Sequence, residues 1–274
     1  RLLSAFMALA LCLTLLPAAA LAEETAENVA EVTIGGTATQ YADINTAFTA
    51  AQNAESATVK LLTDVTIPPN ASGQCYGIKL ERGNITLDLN DCTIRTTDGA
   101  KGFWLSNAVF YIGGGSLTVQ DGKGGGKIVQ PNGGQVIGVS NGNLTVKSGI
   151  IKVTSDSADA DNATTTQNCA VFVRGSGVAD IQGGTLIGNR GIYVGGEWGG
   201  GTLTVSGGTI HGKSSYALEI AGGSVRLSGG SYTTDVTDGC SIWNADGPAA
   251  TLLASGYRYQ DDNGKESAYS ENNN

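Results

Sequence analysis

The chain has 274 residues, and its 25 acidic side chains outnumber the 16 Lys and Arg side chains, which gives a net charge of −9. This acidic balance, without a basic cluster, argues against nucleic acid as a partner. Glycine occurs 41 times and proline only 5 times, which excludes collagen and indicates many tight turns. The chain has a single histidine, so we expect neither a histidine-rich metal site nor a general-base network. No cofactor is predicted.

Residues 1–22 predict export. Arg1 is followed by an apolar run over residues 2–16 and then by the small-residue site Ala20-Leu21-Ala22. This order is typical of a secretory signal peptide that is cleaved after Ala22. The apolar run of about 15 residues is short for a membrane span. We therefore predict a secreted or cell-surface protein with no membrane insertion after cleavage.

A short motif of the form Gly-x-apolar-x-apolar recurs along the rest of the chain. It is found at residues 115–119, 142–146, 177–181, 201–205 and 223–227, and residues 87–94 fit the same frame. With the first apolar residue as marker, the copies start at 87, 117, 144, 179, 203 and 225, and a worn copy is expected at 250. Repeats of variable length indicate one structural unit with loop insertions. The alternating apolar residues within each copy indicate a half-buried strand.

A second short strand precedes the motifs, for example at residues 171–173, 192–194 and 218–220. Short strands with glycine or asparagine at the corners, repeated at intervals of about 22 residues or more, predict an all-β solenoid of the parallel β-helix type. The alternative is a β-sandwich, which would need antiparallel hairpins between its strands.

Residues 42–54 carry the only helical pattern. Four apolar residues share one helix face: Ile44, Ala47, Phe48 and Ala51. Asp43 is the expected N-cap. Because open β-helix ends would pair with other chains, we interpret this helix as a short N-terminal cap. We therefore divide the chain into a lead-in over residues 23–40, a capped β-helix domain over 41–260 and a polar tail over 261–274.

The helix, residues 57–65 and residues 85–94 together resemble the opening of pectin-lyase-like right-handed parallel β-helix domains in large secreted surface proteins of Gram-positive bacteria. Residues 256–264 are similar to the ending of these domains, so the resemblance covers roughly residues 30–265. The sequence departs from the pattern at Asp91-Cys92, where such domains usually carry glycine and a polar residue.

The resemblance implies a non-catalytic extracellular module, which binds glycan or acts as a spacer or adhesin within a larger surface protein. We expect it to be a monomer whose partner is a polysaccharide or glycan surface. The alternative is a polysaccharide lyase or glycoside hydrolase, because the better-known enzymes of this fold belong to those classes.

Aligning the second strand of each repeat gives one column of side chains between the inward apolar residues. It reads Lys79, Tyr111, Gly138, Phe172, Tyr193, Glu219 and Trp243. Strand side chains alternate between faces, so the column is expected to point outward, where polar residues are usual. Its aromatic rings predict a platform for sugar rings. An alternative remains open, in which loops fold over this face and the aromatic residues make a second small core. Trp198 lies in a glycine-rich loop and is either a lid over the same face or a plug.

The carboxylates predict no catalytic pair. Glycoside hydrolysis needs two of them about 5–9.5 Å apart, whereas Asp88 and Asp180 would lie about 14 Å apart across three strand spacings. Glu219 has no acidic neighbour in its column, and with Lys79 it would be the first residue to test if turnover occurred. Asp156, Asp159 and Asp161 lack the ligand spacing of a Ca²⁺ loop, so no metal is expected. His211 is expected in a turn.

The cysteines are predicted to be free thiols. Four remain after signal cleavage: Cys75, Cys92, Cys169 and Cys240. Three repeats separate Cys169 from Cys240, which places them about 14 Å apart. That distance exceeds the Cα separation of about 7 Å that a disulfide can bridge.

Overall fold

The computed structural model describes residues 27–68, 76–97, 108–131, 133–154, 168–196, 199–237 and 240–260. Within these ranges the chain is all-β, with an α-helix near its start and a short 3-10 helix near its end. The predicted signal peptide, Cys75, Trp198, the aspartates at 156, 159 and 161, and the polar tail over 261–274 lie outside the described residues.

The strands are short and fall into three sheets. In chain order they are β1 (Ala30–Ile34), β2 (Thr37–Tyr41), β3 (Ser56–Leu61), β4 (Val65–Ile67), β5 (Tyr76–Leu80), β6 (Asn84–Asp88), β7 (Thr93–Thr96), β8 (Ala108–Ile112), β9 (Ser116–Gln120), β10 (Lys127–Gln130), β11 (Gln135–Val139), β12 (Asn143–Val146), β13 (Ile150–Val153), β14 (Cys169–Val173), β15 (Val178–Ile181), β16 (Thr185–Gly188), β17 (Arg190–Val194), β18 (Thr202–Val205), β19 (Thr209–Gly212), β20 (Leu218–Ile220), β21 (Ser224–Leu227), β22 (Ser231–Thr234) and β23 (Ile242–Asn244).

From β3 onward the strands join the three sheets in rotation. Sheet A runs β2-β1-β3-β6-β9-β12-β15-β18-β21, sheet B runs β4-β7-β10-β13-β16-β19-β22, and sheet C runs β5-β8-β11-β14-β17-β20-β23. Every pairing among β3–β23 is parallel, whereas β1 pairs antiparallel with both β2 and β3. Parallel pairing from β3 onward is incompatible with the antiparallel hairpins of a β-sandwich.

Equivalent apolar residues stack on one another from strand to strand. Leu144 of β12 pairs with Leu117 of β9 on one side and with Ala179 of β15 on the other, and all three are buried. The inward side chains of all three sheets belong to one hydrophobic core. The predicted alternation of buried and partly exposed residues is thus confirmed, because successive strand side chains point to opposite faces.

The register corrects the first repeat. Leu117 pairs with Ile85 rather than with Leu87, so the repeat marker at 87 is two residues too late. Ala57 pairs in turn with Ile85, which makes β3 a further copy that the motif missed because no glycine precedes it. The outward position expected for Asp88 is therefore held by Thr86.

The helix predicted near the start of the chain is α1 (Ile44–Gln52), which packs against β1 and β3. The Asp43 carboxylate accepts a hydrogen bond from the Thr46 backbone N–H at 2.7 Å, and all four residues of the predicted apolar face are buried. The Phe48 ring contacts the Phe110 ring edge-on, with 5.4 Å between centroids. The lead-in over 23–40 supplies β1 and most of β2, so sheet A begins before the predicted boundary at residue 41.

At the other end, the worn repeat copy expected at residue 250 forms a 3-10 helix, Ala249–Leu252. Leu253 then makes a single parallel bridge to Leu227 of β21. Among the described residues, neither helix has the length and apolar character that crossing a membrane requires.

Candidate functional site

The predicted column lies in register on sheet C. Each residue pairs with the next along the series Lys79, Tyr111, Gly138, Phe172, Tyr193, Glu219, Trp243. The flanking residues of the same strands, such as Val171 and Val173 of β14, point into the core. The sequence alignment of these strands is therefore correct, and the side chains lie one strand spacing apart, about 4.8 Å.

The column is not open along its whole length. Lys79 is exposed, and Tyr111, Tyr193 and Trp243 are half-buried. Phe172 is only 1% exposed and Glu219 only 8%. The expectation of a continuous exposed platform is therefore wrong at its centre, and the alternative of a small covered cluster holds there.

Chain that folds back over β14 explains why Phe172 is buried. Arg174 forms an antiparallel bridge to Gly200, and the Gly175 backbone N–H donates to the Gly199 carbonyl at 3.0 Å. The Gly196 backbone lies against the phenyl ring, since a Cβ on Gly196 would sit 3.4 Å from Phe172 Cζ. Gly196 has a φ of 116°, in the region that favours glycine.

Arg174 lies against two aromatic rings of the column. Its guanidinium carbon lies 5.9 Å from the Tyr111 ring centroid and 5.5 Å from the Phe172 centroid. Gly138 separates these two aromatic residues in the column, and the Gln135 side chain lies next to its Cα. Arg174 is itself only 8% exposed. The two rings therefore hold a cation between them in a partly desolvated setting, where cation–π attraction is strongest.

A second cation–π contact lies at Tyr193. The Tyr193 ring stacks on Phe172 with centroids 5.0 Å apart, and the Arg190 guanidinium carbon lies 5.4 Å from the Tyr193 centroid. Arg190 Nε donates to Glu219 Oε2, which forms an ion pair between adjacent strands. Burial and the nearby Glu219 charge raise the pKa of the Tyr193 phenol, against the opposing effect of Arg190. The phenol therefore remains a neutral hydrogen-bond donor.

Trp243 and Lys79 stand at the two ends of the column, on either side of this cluster. Trp243 stacks on Tyr216, with ring centroids 5.9 Å apart, and both residues are half-buried. Burial raises the pKa of the Tyr216 phenol, with smaller contributions from neighbouring groups. At the other end, the exposed Lys79 Nζ lies 2.6 Å from Glu81 Oε1. This contact and the Lys79 charge lower the pKa of Glu81.

Three cluster residues were missed by the sequence analysis: Arg174, Arg190 and Tyr216. Arg190 and Tyr216 each stand three residues before a column residue, and Arg174 directly follows β14. The one usable signal was a charged residue at the start of an otherwise apolar strand, as Arg190 is in β17.

The other candidate residues serve local structure. His211 lies within β19 rather than in a turn, and its ring nitrogens lie 2.9 Å from Thr233 Oγ1 and 3.1 Å from Asp235 Oδ2. Asp180 accepts a hydrogen bond from Thr204 at 2.7 Å, and Asp88 accepts one from the Asn90 backbone N–H. In the part of the chain that the structure describes, no group of three or more His, Cys, Asp or Glu side chains is placed to hold a metal ion.

A groove on sheet A was not anticipated from the sequence. It has a volume of about 360 Å³ and lies on the outer face of β1, β3, β6 and β9. Hydroxyl and amide side chains line it, and the turn at Gly35-Gly36 borders it. The groove lies on a different sheet from the aromatic column.

Comparison with known proteins gives no match: no protein-family model, no curated protein and no solved structure is significantly similar to this chain.

Proposed function

We propose that this chain is a non-catalytic extracellular or cell-surface module that binds glycan through the sheet C column. We further propose that its three sheets are the faces of a right-handed parallel β-helix of the pectin-lyase-like type. The rotation of successive strands through sheets A, B and C supports this architecture, because each set of three strands then makes one turn around the shared core. Parallel crossover connections are right-handed in about 98% of cases.

The observation that carries the binding proposal is the register of Tyr111, Tyr193 and Trp243 in one column, where each residue is half-buried. Sugar rings present an apolar C–H face and polar edges, which suits a half-exposed aromatic ring beside hydrogen-bonding groups. Glu219 stands between Tyr193 and Trp243 in the column, and its partner Arg190 lies against the Tyr193 ring. The net charge of −9 favours a neutral glycan over a polyuronate, which it would repel.

The same geometry argues against catalysis by Glu219. Its carboxylate is largely buried and is already engaged in an ion pair with Arg190. A glycosidase would need a second carboxylate facing the same bond, and the column contains no other acidic residue. This geometry therefore favours binding, and a lyase or hydrolase activity is the alternative that the experiment below tests.

The experiment compares residues 23–274 with the Trp243→Ala variant on a glycan array. Tyr257→Ala is the matched control, because Tyr257 is 54% exposed and lies outside the column. We expect binding of a neutral glycan that Trp243→Ala reduces at least about tenfold, as loss of a stacking ring would, and that Tyr257→Ala leaves unchanged. Equal binding by all three proteins would contradict the proposal. Release of reducing ends or unsaturated uronates by the wild type would favour the enzyme instead.

A further inference from the structure

We propose that the sheet A groove is a second binding site, which takes a short stretch of an extended neutral polysaccharide lying across the strands. The inference goes beyond the proposed function, because none of the groove's lining residues belongs to the sheet C column. The proposal is carried by the groove's shape, by the register of its side chains and by the unused hydrogen-bonding capacity of its hydroxyl groups.

The lining side chains form two matched rows. Thr58 pairs with Thr86 and Thr86 with Thr118, while Ser56 pairs with Asn84 and Asn84 with Ser116. All six line the groove. Parallel strands in register place equivalent side chains about 4.8 Å apart. The groove floor is therefore a regular lattice of hydroxyl and amide groups that runs across the strands.

The threonine hydroxyls of this floor have no internal partner. Thr58, Thr86 and Thr118 are half-buried, and none of their hydroxyls hydrogen-bonds to another described residue. Farther along the same column, Thr204 does have a partner, since it donates to Asp180 Oδ1 at 2.7 Å. Half-buried polar groups normally find a partner in protein or water. The groove thus presents donors and acceptors that a ligand can use without breaking a protein hydrogen bond.

The chemistry of the lining defines the ligand class. No Asp, Glu, Lys, Arg or His side chain lines the groove, so it has no feature that selects an ion. Each threonine offers a methyl group beside a hydroxyl, which matches the mixed C–H and O–H surface of a sugar ring. A hydroxyl both donates and accepts, so a polyhydroxylated chain can pair with every row. A peptide strand would instead need an unpaired sheet edge, whereas this groove lies on a sheet face.

The groove's extent sets the ligand's length. It crosses β1, β3, β6 and β9, which are three strand spacings or about 14 Å. A short oligosaccharide can fill this length, whereas a monosaccharide spans only one or two of the strand spacings. Affinity should therefore rise with chain length and then level off once the groove is filled.

The test uses the triple variant Thr58→Val/Thr86→Val/Thr118→Val. Valine keeps the branched shape and favours strands, so the variant removes three hydroxyls while keeping the fold. Thr202→Val is the matched control, because Thr202 is exposed on sheet A outside the groove. The probes are mixed-linkage β-glucan, xylan and galactomannan in native affinity electrophoresis. In parallel, threonine-methyl NMR follows titration with xylan oligosaccharides of increasing length.

We expect at least one of these polysaccharides to retard the wild type and the control equally. The triple variant should lose at least about tenfold in affinity, as the loss of several hydrogen bonds predicts. The methyl signals of Thr58, Thr86 and Thr118 should shift, and should still shift in Tyr193→Ala/Trp243→Ala. Unchanged retardation of the triple variant, no methyl shifts at these threonines, or shifts that vanish in the double column variant would each overturn the inference. The methyl signals separate this outcome from a failure of the column, which only the column variants affect.

Discussion

Arg190 of β17 and Glu219 of β20 form an ion pair across neighbouring strands, with only 14% and 11% of their side chains exposed. The pair lies against the Tyr193 ring on one side, and Glu219 stands between Tyr193 and Trp243 in the column. Desolvating two charges is costly, and their attraction offsets that cost only while both remain in place. Tyr193 and Trp243 therefore lie next to an ion pair in which the loss of either partner would be strongly destabilising.

The first prediction concerns the loss of one partner. Glu219→Ala leaves Arg190 charged and largely buried, so we expect the free energy of unfolding to fall by about 3–5 kcal/mol. The double variant Arg190→Met/Glu219→Leu should recover most of that loss, because it buries no unpaired charge. Urea denaturation of the wild type, Arg190→Met, Glu219→Leu and the double variant measures the coupling. Strictly additive losses would show that the two side chains do not depend on each other.

A second relationship lies at the corner between sheets A and B. The Asp121 carboxylate accepts hydrogen bonds from the backbone N–H groups of Asp91, Lys123, Gly124 and Gly126, at 2.6 to 3.3 Å. Burial alone would raise the pKa of Asp121, but these four bonds outweigh it and lower the pKa. One charged side chain thus satisfies the backbone of two successive repeats.

The second prediction follows from the sign of that shift. Because the folded pKa lies below the unfolded value, the stabilisation is complete above the ordinary aspartate pKa of about 3.9 and is lost as pH falls through the folded pKa. Asp121→Asn should therefore lower the melting temperature at pH 7, and the gap to the wild type should narrow below about pH 4. Melting curves from pH 7 to pH 2 measure this gap. A gap of constant size across the range would contradict the prediction.

The local features of this fold could be read from the sequence because they depend on neighbouring residues. The cap of α1 at Asp43 and its buried face follow from helical spacing alone. The alignment of the sheet C column also emerged correctly, since apolar residues on both sides of each column residue fix the register. The first repeat was misplaced by two residues, because Ile85 and Leu87 both fit the apolar marker and a shift of two keeps the same face.

The burial of the column could not be read in this way. Whether Phe172 is exposed depends on the positions of Gly196 and Gly200 after β17, a contact between distant segments that strand alternation does not encode. The sheet A groove was missed for a related reason. Its threonines are unremarkable in any one repeat, and they form rows only once the register of four strands is known.

The third prediction concerns the corner residue Asp91. Asn90 and Asp91 adopt left-handed conformations with φ of 51° and 69°, the region that favours glycine. Asp91→Gly keeps the backbone N–H that bonds to Asp121 and relieves strain of about 1 kcal/mol. We therefore expect a higher melting temperature for Asp91→Gly.

The matched control is Asn90→Gly, which removes the hydrogen bond from the Asn90 side chain to the Leu61 carbonyl at 2.8 Å. Relief of strain is offset there by the lost bond, so its melting temperature should stay at or below that of the wild type. A less stable Asp91→Gly variant would show that the aspartate side chain contributes more than its backbone strain costs.

The last prediction concerns the thiols. Cys92, Cys169 and Cys240 are free, as the sequence analysis predicted, whereas Cys75 lies outside the described residues. Cys169 is fully buried, and burial raises its pKa to about 12, while burial also raises the pKa values of the half-buried Cys92 and Cys240. Only the thiolate reacts readily with alkylating agents, so Cys169 should be inert in the folded protein.

Iodoacetamide at pH 7.5 should therefore modify Cys92 and Cys240 slowly, and Cys169 only after denaturation. Peptide mass spectrometry of native and urea-treated samples measures the modified fraction at each site. Adding a reducing agent should leave the melting temperature unchanged, because no native bridge is expected to break. Loss of a disulfide typically costs about 2–5 kcal/mol. A marked fall in melting temperature on reduction, or rapid native alkylation of Cys169, would contradict this assignment of the thiols.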